Sequence, residues 1–351
     1  MTWKTWRKMR PLSSLLPPSY TPHFTLALSI ASILQTFPWF SAQGENPLWK
    51  SVTVLSFLVC FGFVFAAKCI LAWRQDETKE LVERSFELEA MSGRKYRIHV
   101  RVQPILVCDI LIYSGFMVSV ALGLLALVRP CMPPFASMTF LDCNNSWTSG
   151  GGASMQLKIA IAFYEGLTVW SSLIIAVSIG LVGLVVYPVV VEEMWINAVE
   201  MELENCASVY SAAIKYRIVQ SVSNLQESVL RKPFMSMIIG GVMLAEITSL
   251  FLVISSIHEL PLAVAMFFMA LAIDFFVVIH VMFKSLCRPY LASVEFVKRA
   301  QRKRNGKWLN KYLKSCTPLK LSMGGGCFFD RLTSFVIWKL CVDQVVNLLV
   351  M

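Results

Sequence analysis

Apolar residues in this chain fall into long unbroken runs, and the charged residues collect in the segments between them. A helix needs about 20 apolar residues to cross a bilayer, and a window of about 19 residues finds such segments. Seven runs qualify: 23–40, 51–73, 104–128, 157–187, 234–257, 262–283 and 327–351. The pattern predicts an all-α integral membrane protein of seven spans with helical extensions in the cytosol. From Pro188 to Pro233 no residue breaks a helix, and Val191, Met194, Trp195, Ala198 and Met201 recur at helical spacing. The fourth helix is therefore expected to continue past the membrane as one amphipathic rod. A tight turn is expected at 258–261, between the fifth and sixth spans.

The closing run carries polar interruptions. Arg331, Phe335, Lys339, Asp343 and Asn347 return every fourth position, and Gln344 adjoins them. On a helix they form one slowly drifting stripe. Ionisable groups at membrane depth are costly and usually face a bundle interior or a water-filled path. Two readings stay open here. The stripe lines an aqueous path, or Lys339 and Asp343 neutralise each other one turn apart inside a packed bundle.

Composition supports the membrane reading. The 351 residues are 56% hydrophobic and only 15% charged, with mean hydropathy +0.61, against about 25% charged for soluble domains. The net charge of +10 does not point to nucleic acid, because the basic residues sit between apolar runs. The N-terminus is basic, but Pro17, Pro18 and Pro22 follow it and no small-residue cleavage site closes the first run, so that run is expected to be a retained helix. Alternate segments collect lysine and arginine: Lys4, Arg7, Lys8 and Arg10; Arg74 to Arg101; Lys215, Arg217, Arg231 and Lys232; and Lys284 to Lys320. The other segments hold only Lys50, Arg129 and Lys158. This bias predicts a cytosolic N-terminus and, with seven spans, an extracellular C-terminus.

That orientation puts the loop 129–156 outside. There Cys131 and Cys143 are a candidate disulfide, and Asn144-Asn145-Ser146 makes Asn144 a candidate glycosylation site. The remaining cysteines lie in apolar runs or basic segments, where thiols stay reduced. Trp39, Trp49, Trp73 and Trp195 fall near expected span ends, as interfacial tryptophans do.

Motifs for chemistry are missing from the sequence. It holds no GxxxxGK, HExxH or GxSxG, no CxxC pair, and only four scattered histidines, so no enzyme, metal or cofactor is expected. The glycine triplets 150–152 and 324–326 read as hinges. Of the intramembrane acids Asp109, Glu165, Glu246 and Asp274, the last is the stronger functional candidate, from the middle of MFFMALAIDFFVVIHV. Phe116, Tyr164, Trp170, Phe267 and Phe268 are candidates to line an apolar ligand pocket, with core or lipid-facing packing the commoner fate of each.

The stretch TPLKLSMGGGCFFDRLTSFVIWKLC, lying after a basic segment and leading into the last run, resembles a signature of the insect chemoreceptor superfamily, the odorant and gustatory receptors. In that family a pattern like R-P-L-x-(I/L)-(S/T)-x-G-x-F-F enters the final helix. Pro318, Leu319, Leu321, Ser322, Gly326, Phe328 and Phe329 stand at its positions. Gustatory members then end in T-Y, five apolar residues and Q-F. Residues 343–351 here contain neither dipeptide, which marks a divergent member.

The resemblance implies a chemosensory receptor in the plasma membrane that is itself a ligand-gated cation channel. It implies a homo- or hetero-tetramer, a small-molecule ligand held among the outer halves of the helices, and membrane lipid as the surrounding partner. On that basis residues 1–22 form a cytosolic N-terminal segment. Residues 23–283 form a six-helix bundle with its extension at 188–233, residues 284–325 a basic anchor, and residues 326–351 the pore-lining helix. Lys339, Asp343, Gln344 and Asn347 would face the pore. The rival classes are a G-protein-coupled receptor, whose D/E-R-Y and N-P-x-x-Y motifs are missing from the expected places, and a secondary transporter, whose internal repeat is not visible.

Overall fold

The computed structural model describes residues 48–91, 102–132, 154–175, 183–204 and 208–350, apart from 232, 257, 304–305 and 325, together with Phe135. The first apolar run, Trp39, Cys143 and Asn144 lie outside the described residues.

The described residues form helices α1 (Leu48–Trp73), α2 (Gln75–Met91), α3 (Val102–Val128), α4 (Met155–Ile175), α5 (Tyr187–Glu204), α6 (Val209–Leu230), α7 (Phe234–Ser255) and α8 (Leu262–Val277). A π turn, Val278–Phe283, joins α8 to α9 (Arg288–Arg302). Then come α10 (Lys307–Ser315), the strands β1 (Ser322–Gly324) and β2 (Cys327–Phe328), and α11 (Thr333–Val350).

Length and hydropathy decide which of these can cross a bilayer. Among the described residues four segments can: Trp49–Trp73, Phe234–Ser255, Leu262–Arg302 and Thr333–Val350, with Ile112–Val128 a shorter apolar helix. The segment Leu262–Arg302 has 41 residues and rises about 60 Å, roughly twice the hydrocarbon thickness. Its second half therefore projects out of the membrane. That half is α9, whose last turn carries Arg299 and Arg302.

Two cores result. One is built by α1, α3, α4, the C-terminal end of α7 and the start of α8, around Phe57, Leu122, Leu125, Phe267 and Phe268. The other joins α2, α5, α6, α9 and α10 to the start of α7 and to the buried stripe of α11. The long helices α7 and α8 run through both and tie them together.

The structure corrects four expectations. The rod from Pro188 to Pro233 is two helices. α5 stops at Glu204 and α6 starts at Val209, running back antiparallel, since Trp195 Nε1 donates to the Lys215 carbonyl at 3.0 Å, Lys215 pairs with Glu202, and Gln226 Nε2 donates to the Val185 carbonyl at 3.2 Å. Folding back lets the apolar face of α5 be buried by its own neighbour, which a projecting rod would leave wet. Trp195 is accordingly a core residue with a satisfied indole and not an interfacial one. Gly324 and Gly326 belong to a hairpin and not to a hinge before a span: β1 pairs with β2, and their φ of 102° and 89° lie in a region that L side chains avoid. The last helix begins at Thr333 and not at residue 326 or 327, because Ser322 and Gly324 pair with Phe328 and Cys327 first.

Candidate pore helix and its anchor

The hairpin before α11 is held at both ends. Upstream, the Leu319 amide donates to Ser293 Oγ on α9 at 3.0 Å, and Tyr216 Oη donates to the Thr317 carbonyl at 2.8 Å. Ser236 Oγ on α7 donates to the Met323 carbonyl at 3.1 Å, and the Phe329 amide closes onto the Leu321 carbonyl at 3.1 Å. The apolar residues of the signature go inward: Leu319, Leu321 and Phe329 are buried, and the Phe329 ring lies 5.8 Å from Phe283 of the π turn. Phe328 is half-buried, 5.0 Å from Tyr290, with Lys320 Nζ 4.5 Å above its ring. Pro318 is half-buried and Gly326 exposed at the turn. The contiguous signature thus folds as a clamp between α6, α7 and α9.

Beneath it the helices α5 and α9 are laced by charge. Arg299 on α9 reaches Glu200 at 3.1 Å and Glu204 at 2.8 Å on α5, and Glu295 on its own helix at 2.5 Å. Arg288 lies 3.9 Å from Glu193. Arg74, between α1 and α2, donates to the carbonyls of Ser228 and Val229 at 2.6 and 3.0 Å. A cation at a helix C-terminus complements the dipole of α6.

Glu192 lies buried inside this core, with Ser223 hydrogen-bonded to its side chain and Tyr216 nearby. Burial pushes its carboxyl up to about 8. The sign follows from proton binding. Between the ordinary carboxylate range and pH 8 the folded chain holds a proton that the unfolded chain has released, so stability falls as pH rises through that window. Melting temperature in detergent is expected to decline from pH 5 to pH 9, and Glu192→Gln is expected to flatten that slope. An unchanged slope in the variant would assign it to other groups.

On this clamp stands α11. Asp330 caps it: the Leu332 amide donates to Asp330 Oδ1 at 3.0 Å, Thr333 Oγ1 donates to the same oxygen at 2.7 Å, and the Asp330 amide donates back to Thr333 Oγ1 at 2.8 Å. Ser334, Ile337, Cys341 and Val345 form its buried seam against α7 and the π turn. At 100° per residue, Lys339, Asp343 and Asn347 point roughly 160–240° away from Cys341, directly off the bundle. All three are exposed, and Gln344 is exposed on the flank. No ion pair joins Lys339 to Asp343 among the described residues. Within the subunit neither residue is packed into the bundle.

Two polar groups stand behind α11. His280 on the π turn sits 4.3 Å from Phe276 and 5.7 Å from both Phe335 and Trp338 of α11. Glu246 on α7 is 0% exposed, close to Cys341, and among the described residues neither carboxyl oxygen has a hydrogen-bond partner. Sequence reading named Glu246 without preferring it. Its mark was a lone acid within a run of mean apolar character, which Asp274 shares. Only tertiary placement separates them, since Asp274 is hydrogen-bonded to Ser114 of α3. Glu246→Leu removes a buried carboxyl that no described side chain or backbone group pairs with, so the variant is expected to gain about 1–3 kcal/mol, read as a higher melting temperature. A loss would mean that the carboxyl holds a solvent molecule or ion.

The five aromatic candidates for a ligand pocket separate. Phe267 and Phe268 are fully buried, with Phe57 of α1 at 5.7 and 6.4 Å. Phe116 and Trp170 meet edge to face at 5.4 Å on the outer side of the α3–α4 pair, and Tyr164 is exposed. Cys131 is disulfide-bonded; Cys143, expected as its partner, is outside the described residues. Among the described residues no cluster of His, Cys, Asp and Glu could hold a metal ion.

The fold is that of a known class of all-α membrane receptor. The chain superposes on the insect olfactory receptor OR5 from Machilis hrabei with a TM-score of 0.67 at 10% identity, over 93% of this chain and 87% of that one. With the same receptor in complex with eugenol the TM-score is 0.70, at the same identity and coverage. No protein-family model and no curated protein matches the sequence.

Proposed function

We propose that this chain is the subunit of a chemosensory receptor that is also a cation channel in the plasma membrane, gated directly by a small molecule. The observation that carries the reading is the outward face of α11. Lys339, Asp343 and Asn347 lie on a helix apolar enough to span the bilayer, and they point away from their own subunit. Hydrocarbon is a poor solvent for that face. Copies of the same face around a wet axis remove the cost. Four copies of α11 then line the pore, and the helices α5, α6, α9 and α10 with the clamp form the cytosolic anchor. The shared fold with OR5, the lysine and arginine bias, and the signature around Phe329 support this arrangement, with seven spans, the N-terminus inside and the C-terminus outside.

The ligand site belongs in the outer core, where Phe57, Phe267 and Phe268 meet. Such sites are mostly apolar and aromatic. Eugenol, present in one OR5 structure, is a reasonable first probe.

Cells expressing the full chain are expected to show ligand-evoked cation currents, and the purified protein to run as a tetramer. An epitope at the N-terminus is expected to be hidden on intact cells. Surface labelling there, with a monomeric protein and no current, would overturn the reading in favour of a G-protein-coupled receptor.

A further inference from the structure

We propose that the outer groove between α3 and α4 holds one acyl chain of a phospholipid from the outer leaflet, with the lipid phosphate at Arg129 and Lys158. The inference rests on the orientation given above but not on channel activity.

The groove is a product of small residues at a crossing. A Cβ on Gly123 would meet the Ala162 carbonyl oxygen at 3.1 Å, and one on Gly166 would meet the Ser119 carbonyl oxygen at 3.4 Å. Ser119 and Gly123 on one helix, and Ala162 and Gly166 on the other, thus bring the two backbones together, as small-xxx-small pairs do in membranes. Their larger neighbours then stand up on both sides as walls. The cavity between them measures about 340 Å³ and is lined by Leu124, Leu127, Phe163 and Leu167, among others.

Its direction separates it from the ligand core. On α3, Val118, Leu122 and Leu125 are buried toward α1 and α8, whereas Leu124 is 57% exposed; on α4, Phe163 is 69% exposed. The groove therefore opens away from the core, and α7 and α8 stand between it and α11. A membrane-spanning groove on that side meets lipid.

Length and chemistry select the occupant. From Phe116 to Leu127 the groove runs about 16 Å along α3, close to one leaflet of a hydrocarbon core about 30 Å thick. The Phe116–Trp170 contact closes the inner end, since these are the first lining residue of α3 and the last of α4. The lining is almost wholly apolar: its one hydroxyl, on Ser119, already donates to the Gly115 carbonyl at 2.8 Å, and its one other side-chain polar group is the indole N–H of Trp170 at the inner end. Neither cation lines the cavity itself: Lys158 lies one turn before Ala162 on the lining face of α4, and Arg129 ends α3 one turn past the core residue Leu125, so both would reach the outer end through their long side chains. These are two of the three cations in the outer segments. A hydrocarbon tail under a phosphate matches a dry trough that ends in two cations. A sterol, with a neutral hydroxyl, would leave the cations without a counter-charge.

The test uses full-length protein in phosphatidylcholine vesicles containing a phospholipid with a mid-chain diazirine. After illumination, adducts are mapped by mass spectrometry. They are expected to concentrate on Val120, Leu124, Phe163 and Leu167, about tenfold above the exposed residues Met266 and Ile273 of α8. Leu124→Trp, made at an exposed wall so that folding is kept, is expected to remove the groove adducts and leave those elsewhere. Arg129→Gln with Lys158→Gln is expected to weaken labelling by the phospholipid but not by a diazirine-bearing fatty alcohol. Adducts spread evenly over all exposed apolar faces would overturn the proposal. So would stronger labelling by a photoreactive sterol, or displacement of the label by eugenol. Ligand-evoked currents are not read, so failure here and failure of the channel reading are told apart.

Discussion

Phe329→Ala is expected to cost about 3–5 kcal/mol, the usual penalty for emptying a fully buried aromatic site, and to leave a chain that reaches the cell surface poorly and no longer assembles. Phe329 is 0% exposed and sits where three things meet: the ring of Phe283 on the π turn, the backbone bond to Leu321, and the start of α11 through Asp330. Truncation leaves a void beneath α11 that the helix cannot fill, because the hairpin before it is tied to α7 and α9 by Ser236 and Ser293. Thermal melting of purified protein and surface biotinylation give the two readings. Phe329→Leu keeps most of the volume and is expected to retain assembly. Near-wild-type melting of the Ala variant would show that the signature has no structural role here.

Asp343→Asn is expected to lower the preference for cations over anions, and Lys339→Gln to raise cation conductance, with surface expression and tetramer formation unchanged. Both residues are exposed on the face of α11 opposite its buried seam, so neither exchange disturbs packing. A ring of carboxylates concentrates cations in a narrow wet path, and a ring of ammonium groups one turn below opposes them. The relevant measurement is the reversal potential of ligand-evoked current under a salt gradient. If neither exchange moves it in a protein that still conducts, the stripe does not line the path.

Much of this was legible because it is local. That Lys339, Asp343 and Asn347 share a face follows from helical spacing alone, and Leu319, Leu321 and Phe329 could be singled out because they stand in one contiguous pattern, though their burial is known only from the structure. Other features depend on partners far away in the chain. Nothing in residues 204–208 announces a reversal; α5 turns back because α6 can cover its apolar side, with Trp195 meeting Lys215. The glycine triplet reads the same whether it is a hinge or a hairpin, and only the pairing of Ser322 with Phe328 decides. The aromatic candidates could be found by type but not sorted, because α1 and α8 bring Phe57 to Phe267 while α3 and α4 carry Phe116 and Trp170 to the opposite side.

The shortness of α11 sets a demand on the host membrane. Its 18 residues rise about 27 Å, less than an average hydrocarbon slab of about 30 Å. Such a helix has no spare length to lean over, and a thicker bilayer has to pinch around it or stretch it upright. Because the hairpin clamps its N-terminal end to α7 and α9, the strain passes into the seam with α7, and in the proposed channel the chain length of the surrounding lipids would bias how readily the path opens.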